Sequence, residues 1–456
     1  MEFKVYEKTL FKIRMINLKL TEKFFLIILF CSLFTSFLFK SFINNELISN
    51  ILVAFNSLLI LLFIFLSIKN DIAKFLIFIF FLLRVFLLYI DYYGKAIVSI
   101  LHSGGDTERF YIWGMLISKD LSLMNEITYT RYTDFLGILY WIIGDQRLFS
   151  QFINVILGTW SIFVLYKILD LFSFKDSKKL FFLAIYGLYP QNIIFSSILL
   201  REGLIQFFFI YSIYFFTKWV MTNDRVNMFK SIIFVLLSSL FHSGMIISLL
   251  VYVYIFLFLD VKKNRFNYSL KRLSLFFLLF GMSFAVIAND SSILNGKFSI
   301  LQTDENNQSL IEKYQSNSGI EEGGSTYLKG YKMNSAVDFI TFVPLKLIYF
   351  ILSPMPYDVR GLGDIIAILI DSSFYYFLIY KIIRSRKIVT TNFRIFPKIF
   401  LILFLTVSLG FALGTENSGT AMRHRAKIYP ALIMVVVLIE SIKQNKKSIW
   451  DGSKII

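Results

Sequence analysis

Clusters of lysine and arginine separate the apolar segments of this chain, and they fall at every second gap between those segments. The basic clusters are Lys4 to Lys23, Lys69/Lys74, Lys175 to Lys179, Lys262 to Arg272, Lys381 to Lys398 and Lys443 to Lys454. Short loops rich in lysine and arginine stay on the cytoplasmic side of a bilayer. The pattern therefore predicts a chain that crosses the membrane many times and keeps both termini in the cytoplasm.

Composition supports the same class. Hydrophobic residues make up 57% of the 456 residues, and they occur in runs near the 20 residues that a membrane-spanning helix needs. The net charge of +17 lies mostly in the predicted cytoplasmic loops, where it favours contact with anionic membrane lipids and not with nucleic acid. The single cysteine, Cys31, excludes a disulfide framework. We predict an all-α polytopic membrane protein, with residues 1–456 as a single transmembrane domain.

About twelve spans are expected. They are 22–40, 47–68, 75–94, 148–170, 180–197, 203–221, two abbreviated spans within 231–259 that turn at Phe241 to Gly244, 273–289, 364–382, 395–413 and 427–440. Residues 135–143 are too short to cross, and 336–353, which contains Pro344, is predicted to be a re-entrant or interfacial helix. The outer loops 95–134 and 290–335 are expected to contribute to a functional site.

Four polar groups lie at helix ends on the predicted outer face. They are Gly104 to Arg109 with Asp106 and Glu108, the pair Arg201-Glu202, His242, and Glu416 together with Arg423-His424-Arg425. Arginines at an outer helix end depart from the charge bias of the other loops, and such polar exceptions in membrane segments are functional candidates. Each group also has a structural interpretation: a solvated loop, an ion pair that caps a hairpin, a turn, or arginines that reach lipid headgroups.

These residue types suit the transfer of a phosphate-activated group. Arginine binds phosphate through two parallel hydrogen bonds and stays charged, and a carboxylate can activate an acceptor hydroxyl as a general base. The sequence has no P-loop, no Gly-x-Ser-x-Gly elbow and no zinc motif of His or Cys, so we predict neither a cofactor nor a metal.

Several motifs carry a resemblance to a known family. Leu200-Arg201-Glu202-Gly203-Leu204, followed about forty residues later by Leu240-Phe241-His242-Ser243-Gly244, resembles the motifs of EpsG-type exopolysaccharide membrane proteins. Those proteins are similar to the repeat-unit polymerases of O-antigen and capsule synthesis. Gly105-Asp106 to Tyr111 is similar to the acidic motif of GT-C membrane glycosyltransferases, and Tyr189-Pro190 to Glu202 and Arg423 to Pro430 resemble the same broad class.

The resemblance implies a GT-C-like glycosyltransferase of the bacterial inner membrane that joins undecaprenyl-diphosphate-linked repeat units on the outer face. It implies catalytic roles for Asp106, Glu108 and His242, and substrate or phosphate binding by Arg109, Arg201, Glu202, Arg423, His424 and Arg425. Expected partners are the polyprenyl-linked saccharide, membrane lipids, a chain-length regulator and a flippase. The alternatives are a GT-C transferase that adds one sugar from a polyprenyl-phosphate donor, a transporter or flippase for lipid-linked oligosaccharide, and a non-catalytic assembly scaffold.

Overall fold

The chain is an all-α membrane protein. The computed structural model describes residues 45–95, 97–124, 130–261, 263, 265–289, 326–328, 336–387 and 395–450, with scattered positions between 27 and 38. It is 83% helical. Six helices in the described part are long and apolar enough to cross a bilayer, namely Glu46–Ser67, Asp71–Tyr93, Arg147–Leu171, Glu202–Thr222, Leu362–Arg384 and Ile395–Leu413. The predicted span 22–40 and the loop 290–335 lie largely outside the described residues, and the total of twelve spans stays a prediction.

The helices fall into two compact units. The first unit comprises Met1–Thr159 and Ser196–Leu200. Its described helices are α1 (Asn45–Ser67), α2 (Asp71–Tyr93), α3 (Gly105–Lys119), α4 (Arg131–Ile143) and the beginning of α5 (Arg147–Leu171). Helices α3 and α4 pack closely at Gly114, because this residue has no side chain. A Cβ atom added there would lie only 2.9 Å from Cβ of Leu136. This close contact holds the polar start of α3 in place.

The second unit comprises Trp160–Phe195 and Arg201–Ile456. It contains the rest of α5, α6 (Asp176–Gly187), α7 (Pro190–Phe195), α8 (Glu202–Thr222), α9 (Arg225–Phe241), α10 (Ile246–Phe258), the antiparallel pair β1 (Leu259–Asp260) and β2 (Arg265–Phe266), α11 (Leu270–Asn289), α12 (Ala336–Leu352), α13 (Leu362–Ala367), α14 (Ser373–Arg384), α15 (Ile395–Leu413) and α16 (Ser418–Trp450). Helix α16 packs against α8, α14 and α15, and every residue from His424 to Ile439 is buried. Helix α16 is therefore central to this unit.

The segment 95–134 is not the extended loop that we predicted. It contains α3, and Asp106 and Glu108 lie in the first turn of that helix. Gly104, at φ 110°, allows the chain to turn there. Thr107 Oγ1 accepts a hydrogen bond from the Gly104 backbone N–H at 3.0 Å, which fixes the start of the helix. The apolar residues Phe110 and Ile117 are buried on one side of α3. The segment therefore forms an amphipathic helix, although its sequence is only weakly apolar.

Two predicted spans have different boundaries in the structure. The segment 180–197 is not one helix, because the chain breaks between α6 and α7 at Leu188 and Tyr189; the residue before a proline is disfavoured in helical geometry, and Pro190 follows. The last span begins at Ser418 and not at 427, because the Asn417 side chain accepts a hydrogen bond from the Thr420 N–H at 2.7 Å and caps the helix there.

Candidate functional site

The second unit holds a buried ion cluster around Glu202, the first residue of α8. The Glu202 carboxylate is fully buried, and its Oε1 accepts a hydrogen bond from Nε of Arg423 at 2.5 Å. Nζ of Lys427 lies 3.4 Å from the same oxygen. Arg423 and Lys427 are four residues apart on α16 and therefore share one face of that helix. We call Arg201, Glu202, Arg423, His424 and Lys427 the Glu202 cluster.

The Glu202 cluster carries an excess of positive charge. Arg201, which precedes Glu202, also interacts electrostatically with its carboxylate, so three cations surround one anion. Burying ions away from water is costly unless their charges are compensated, so three adjacent cations favour the approach of a negatively charged ligand. Glu202 and Lys427 are fully buried, whereas the Arg423 side chain is 18% exposed. An anionic ligand would therefore reach the cluster at Arg423.

A second histidine, His242, adjoins His424 of the cluster. Nζ of Lys427 lies 2.9 Å from Nδ1 of His424, and a charged ammonium can only donate, so Nδ1 accepts and the neutral ring carries its proton on Nε2. His242, in the turn between α9 and α10, accepts a hydrogen bond at Nδ1 from the Gly244 N–H at 3.2 Å. The two rings meet edge to face with their centroids 5.1 Å apart. Both rings therefore have the tautomer in which Nε2 is a donor.

Glycine at position 244 is required by close packing. A Cβ atom there would lie 2.6 Å from Cε1 of Phe411. The Phe411 ring in turn stacks on His424, with centroids 4.7 Å apart. The Phe-His-Ser-Gly turn therefore brings His242 against the ring that supports His424.

A hydrogen bond made possible by Pro430 joins α8 to α16 beside the cluster. Proline has no backbone N–H, so the carbonyl of Ala426, one turn earlier, has no helical donor. The Gln206 side chain on α8 donates a hydrogen bond to this carbonyl, and also to Oδ1 of Asn192 at 2.7 Å. A proline inside a buried helix thus creates the acceptor that fixes the neighbouring helix.

Arg425 lies in a separate buried network. Its guanidinium pairs with Asp371, and both side chains have no exposed surface. It also donates to the carbonyls of Ile351 at 2.8 Å and Ser353 at 2.5 Å. Asp371 accepts a further hydrogen bond from Tyr189, and it lies in a π-helical turn, Ile368–Ser372, that joins α13 to α14. Such turns occur frequently at functional sites. This geometry favours a positioning role for Arg425.

An open cleft of about 370 Å³ also lies in the second unit, within the size range of ligand pockets. Its lining residues are Thr326, Tyr327, Leu328, Ser353, Pro354, Tyr357, Asp358, Val359, Arg360 and Ser418. The cleft therefore combines two tyrosine rings with hydroxyl, carboxylate and guanidinium groups. The Ser353 carbonyl and Ser418 connect the cleft to Arg425 and to the start of α16.

The predicted acidic motif lies in the first unit, where Glu108 is held by cations. Arg147 donates from both terminal nitrogens to the two carboxylate oxygens, each at 2.7 Å, and Lys95 donates as well. These hydrogen bonds, that of Arg147 foremost, lower the pKa of Glu108 to about 2. A carboxylate bound in this way is a weak base. Asp106 and Arg109 lie on the same helix and are half-buried and exposed, respectively.

The low pKa of Glu108 predicts a defined pH dependence of stability. The pKa of the carboxyl group is 4.5 when unshifted and about 2 in the folded chain. Its contribution to the stability of the folded chain is therefore complete above about pH 4.5 and is lost as the pH falls toward 2. The difference in thermal stability between the wild type and Glu108→Gln should be constant from pH 7 to pH 5 and should shrink at pH 4 and pH 3. A difference that is the same at pH 7 and pH 3 would contradict this ion pair.

The structure brings together most of the residues predicted in the second unit and adds some that were missed. Arg201, Glu202, Arg423, His424 and His242 converge on one cluster. Lys427 was missed because it was assigned to the beginning of an apolar span; its spacing of four residues from Arg423 is the signal that could have identified it. Nothing in the sequence near Asp371 indicated that it would pair with Arg425.

Comparisons with known proteins give no relative. No protein-family model, no curated protein and no solved structure matches the chain. Within the described part of the chain, no group of three or more His, Cys, Asp or Glu side chains is arranged to hold a metal ion.

Proposed function

We propose that this protein is a membrane glycosyltransferase of cell-surface polysaccharide synthesis that joins undecaprenyl-diphosphate-linked oligosaccharide repeat units. The observation that carries the proposal is the Glu202 cluster, in which three cations surround one buried carboxylate at the ends of apolar helices. A lipid diphosphate is an anion that travels in the membrane. Its charge is opposite to that of the three cations in the cluster.

In the proposed reaction an acceptor hydroxyl attacks the anomeric carbon of the donor glycan. The new glycosidic bond forms while the bond from that carbon to the diphosphate oxygen breaks, and undecaprenyl diphosphate leaves. Arg423 and Arg201 would hold the diphosphate, and Nε2–H of His424 and His242 would donate hydrogen bonds to its oxygens. Donors that are fixed in advance at a site of developing charge lower the barrier of such a step.

The proton of the acceptor hydroxyl needs a base. Glu108 is bound by Arg147 and Lys95, and its low pKa makes it a weak base. Lys346 lies 3.7 Å from Glu416 and donates to the Leu413 carbonyl at 3.2 Å, which favours a structural role for Glu416. We therefore assign the base to Asp106.

The cleft lined by Tyr327 and Tyr357 is the proposed saccharide site. Tyrosine rings offer an apolar face to the C–H groups of a sugar, while Asp358 and Ser418 offer hydrogen bonds to its hydroxyls. Arg425 donates to the Ser353 carbonyl that lines this cleft, and it is two residues from Arg423. Helix α16 would thus align the saccharide with the diphosphate.

The length of α16 supports a site on one side of the membrane. Arg423 and Lys443 are twenty residues apart, which is about 30 Å along a helix and about the thickness of the bilayer core. Glu440 forms ion pairs with both Lys443 and Lys178, so two of the predicted cytoplasmic basic clusters meet near the C-terminal end of α16. The Glu202 cluster would then face the outer leaflet of the inner membrane.

The ladder of surface glycan tests the proposed polymerisation. Asp106→Asn is nearly isosteric and removes the charge, so we expect the glycan to collapse from a ladder to a single repeat unit, with normal amounts of protein in the membrane. Asp120→Asn, at the end of the same helix α3, is the matched control and should leave the ladder intact.

Two outcomes would overturn parts of this proposal. A full-length ladder that lacks one side-branch sugar when the gene is deleted would identify a single-sugar GT-C transferase. A normal ladder in the Asp106→Asn variant would show that Asp106 is not the base.

A further inference from the structure

A second cleft, remote from the Glu202 cluster along α16, lies between the end of α14 and α16. It encloses about 650 Å³ and is lined by Ile383, Arg384, Ser385, Arg386, Lys387 and Lys443. Four of these six residues are cations, and none is an acid. The cleft joins two basic clusters that are distant in sequence, Lys381 to Lys398 and Lys443 to Lys454, and both clusters are predicted to be cytoplasmic.

An acid, Glu440, adjoins the cleft at Lys443. Glu440 accepts from Lys443 at 2.7 Å and from Lys178 at 3.1 Å, so two cations share one carboxylate. Arg384, Arg386 and Lys387 are exposed, and Arg384 donates to the hydroxyl of Tyr380 at 3.3 Å. The cleft therefore presents three exposed cationic side chains at its surface.

An apolar stripe leads to the cleft along α14. Phe377, Tyr380 and Ile383 recur every three residues, which places them on one side of the helix, and each of them is exposed. Ile383 also lines the cleft itself. A basic cleft at the end of an exposed apolar stripe matches the two parts of an anionic lipid.

We propose that this cleft binds the phosphate of an anionic phospholipid headgroup, with an acyl chain along Phe377, Tyr380 and Ile383. Basic pockets between helices on the cytoplasmic side are suited to anionic headgroups. The cleft lies at the end of α16 opposite to Arg423, so its occupant is distinct from the glycan carrier. This inference does not depend on the proposed function.

Native mass spectrometry of the purified full-length protein tests the proposal. Phosphatidylglycerol should bind and raise the unfolding temperature, whereas phosphatidylcholine, which shares the phosphate but has no net charge, should bind weakly. Each basic residue near an anionic headgroup contributes about a fivefold factor in affinity. The variant Arg384→Gln/Arg386→Gln/Lys387→Gln should therefore lose affinity for phosphatidylglycerol on the order of 100-fold.

The matched control removes three exposed cations from the predicted cytoplasmic cluster Lys262 to Arg272, as Lys263→Gln/Arg265→Gln/Lys271→Gln, and should retain the affinity. An equal loss in both variants would show a general attraction between charges and would contradict a specific cleft. Competition by soluble glycerol 3-phosphate as effective as that by the lipid would identify a site for free phosphate and would overturn the assignment to a lipid.

Discussion

Replacing Asp371 by asparagine is expected to lower the free energy of unfolding by about 3–5 kcal/mol, because breaking a buried ion pair leaves the other charge without compensation. Arg425 has no exposed surface, and it also donates to two backbone carbonyls, which carry no net charge. The Tyr189 hydroxyl would also lose a charged acceptor. Equilibrium unfolding in detergent, at a fixed detergent concentration, measures this loss.

The matched control is Asp364→Asn, seven residues earlier in the same segment. Arg360 pairs with Asp364 at 3.0 Å, and the Arg360 side chain is 38% exposed. Pairs of this kind contribute less than about 1 kcal/mol. Equal losses of stability for Asp371→Asn and Asp364→Asn would show that the Arg425–Asp371 pair is not a buried electrostatic contact.

Replacing Arg423 is expected to reduce the rate of glycan joining by about 100-fold to 1,000-fold, the usual cost of losing one donor at a site of developing charge. Arg423→Lys should be nearly as impaired as Arg423→Ala, because lysine keeps the charge but loses the planar fork that binds two phosphate oxygens. Lysine also cannot reproduce the Nε hydrogen bond to Glu202.

The control for Arg423 is Arg225→Ala, an exposed arginine at the start of α9 in the same unit. It should leave polymer formation unchanged. Membrane levels of each variant are measured in parallel, so that a failure to fold is separated from a failure to bind. Normal polymer with Arg423→Ala would reduce Arg423 to a structural partner of Glu202.

The main helices could be predicted from the sequence because long apolar runs must be helical in a membrane. The structure confirms an all-α membrane protein, and the predicted spans 47–68, 75–94, 148–170, 203–221 and 395–413 correspond to helices in it. Two helices with His242 at the turn between them are also present, but the first, Arg225–Phe241, begins before the predicted range 231–259. These features depend on local pattern alone.

The partners of the polar residues could not be predicted, because they are distant in sequence. Glu202 and Arg423 are 221 residues apart, and no local pattern encodes that contact. The last span was predicted to begin at residue 427, whereas α16 begins at Ser418, and within it Gln206 supplies the missing donor to the Ala426 carbonyl. Lys427 consequently appeared to be a residue at the beginning of a span and not a member of a cluster.

Reconstitution of the purified protein with undecaprenyl-diphosphate-linked repeat units tests the proposed function most directly. We predict that glycans lengthen in proteoliposomes, that one undecaprenyl diphosphate is released for each glycosidic bond formed, and that Arg423→Ala abolishes both. Transfer of the lipid-linked units across the bilayer, with no release of undecaprenyl diphosphate and no lengthening, would contradict the proposal and identify a transporter.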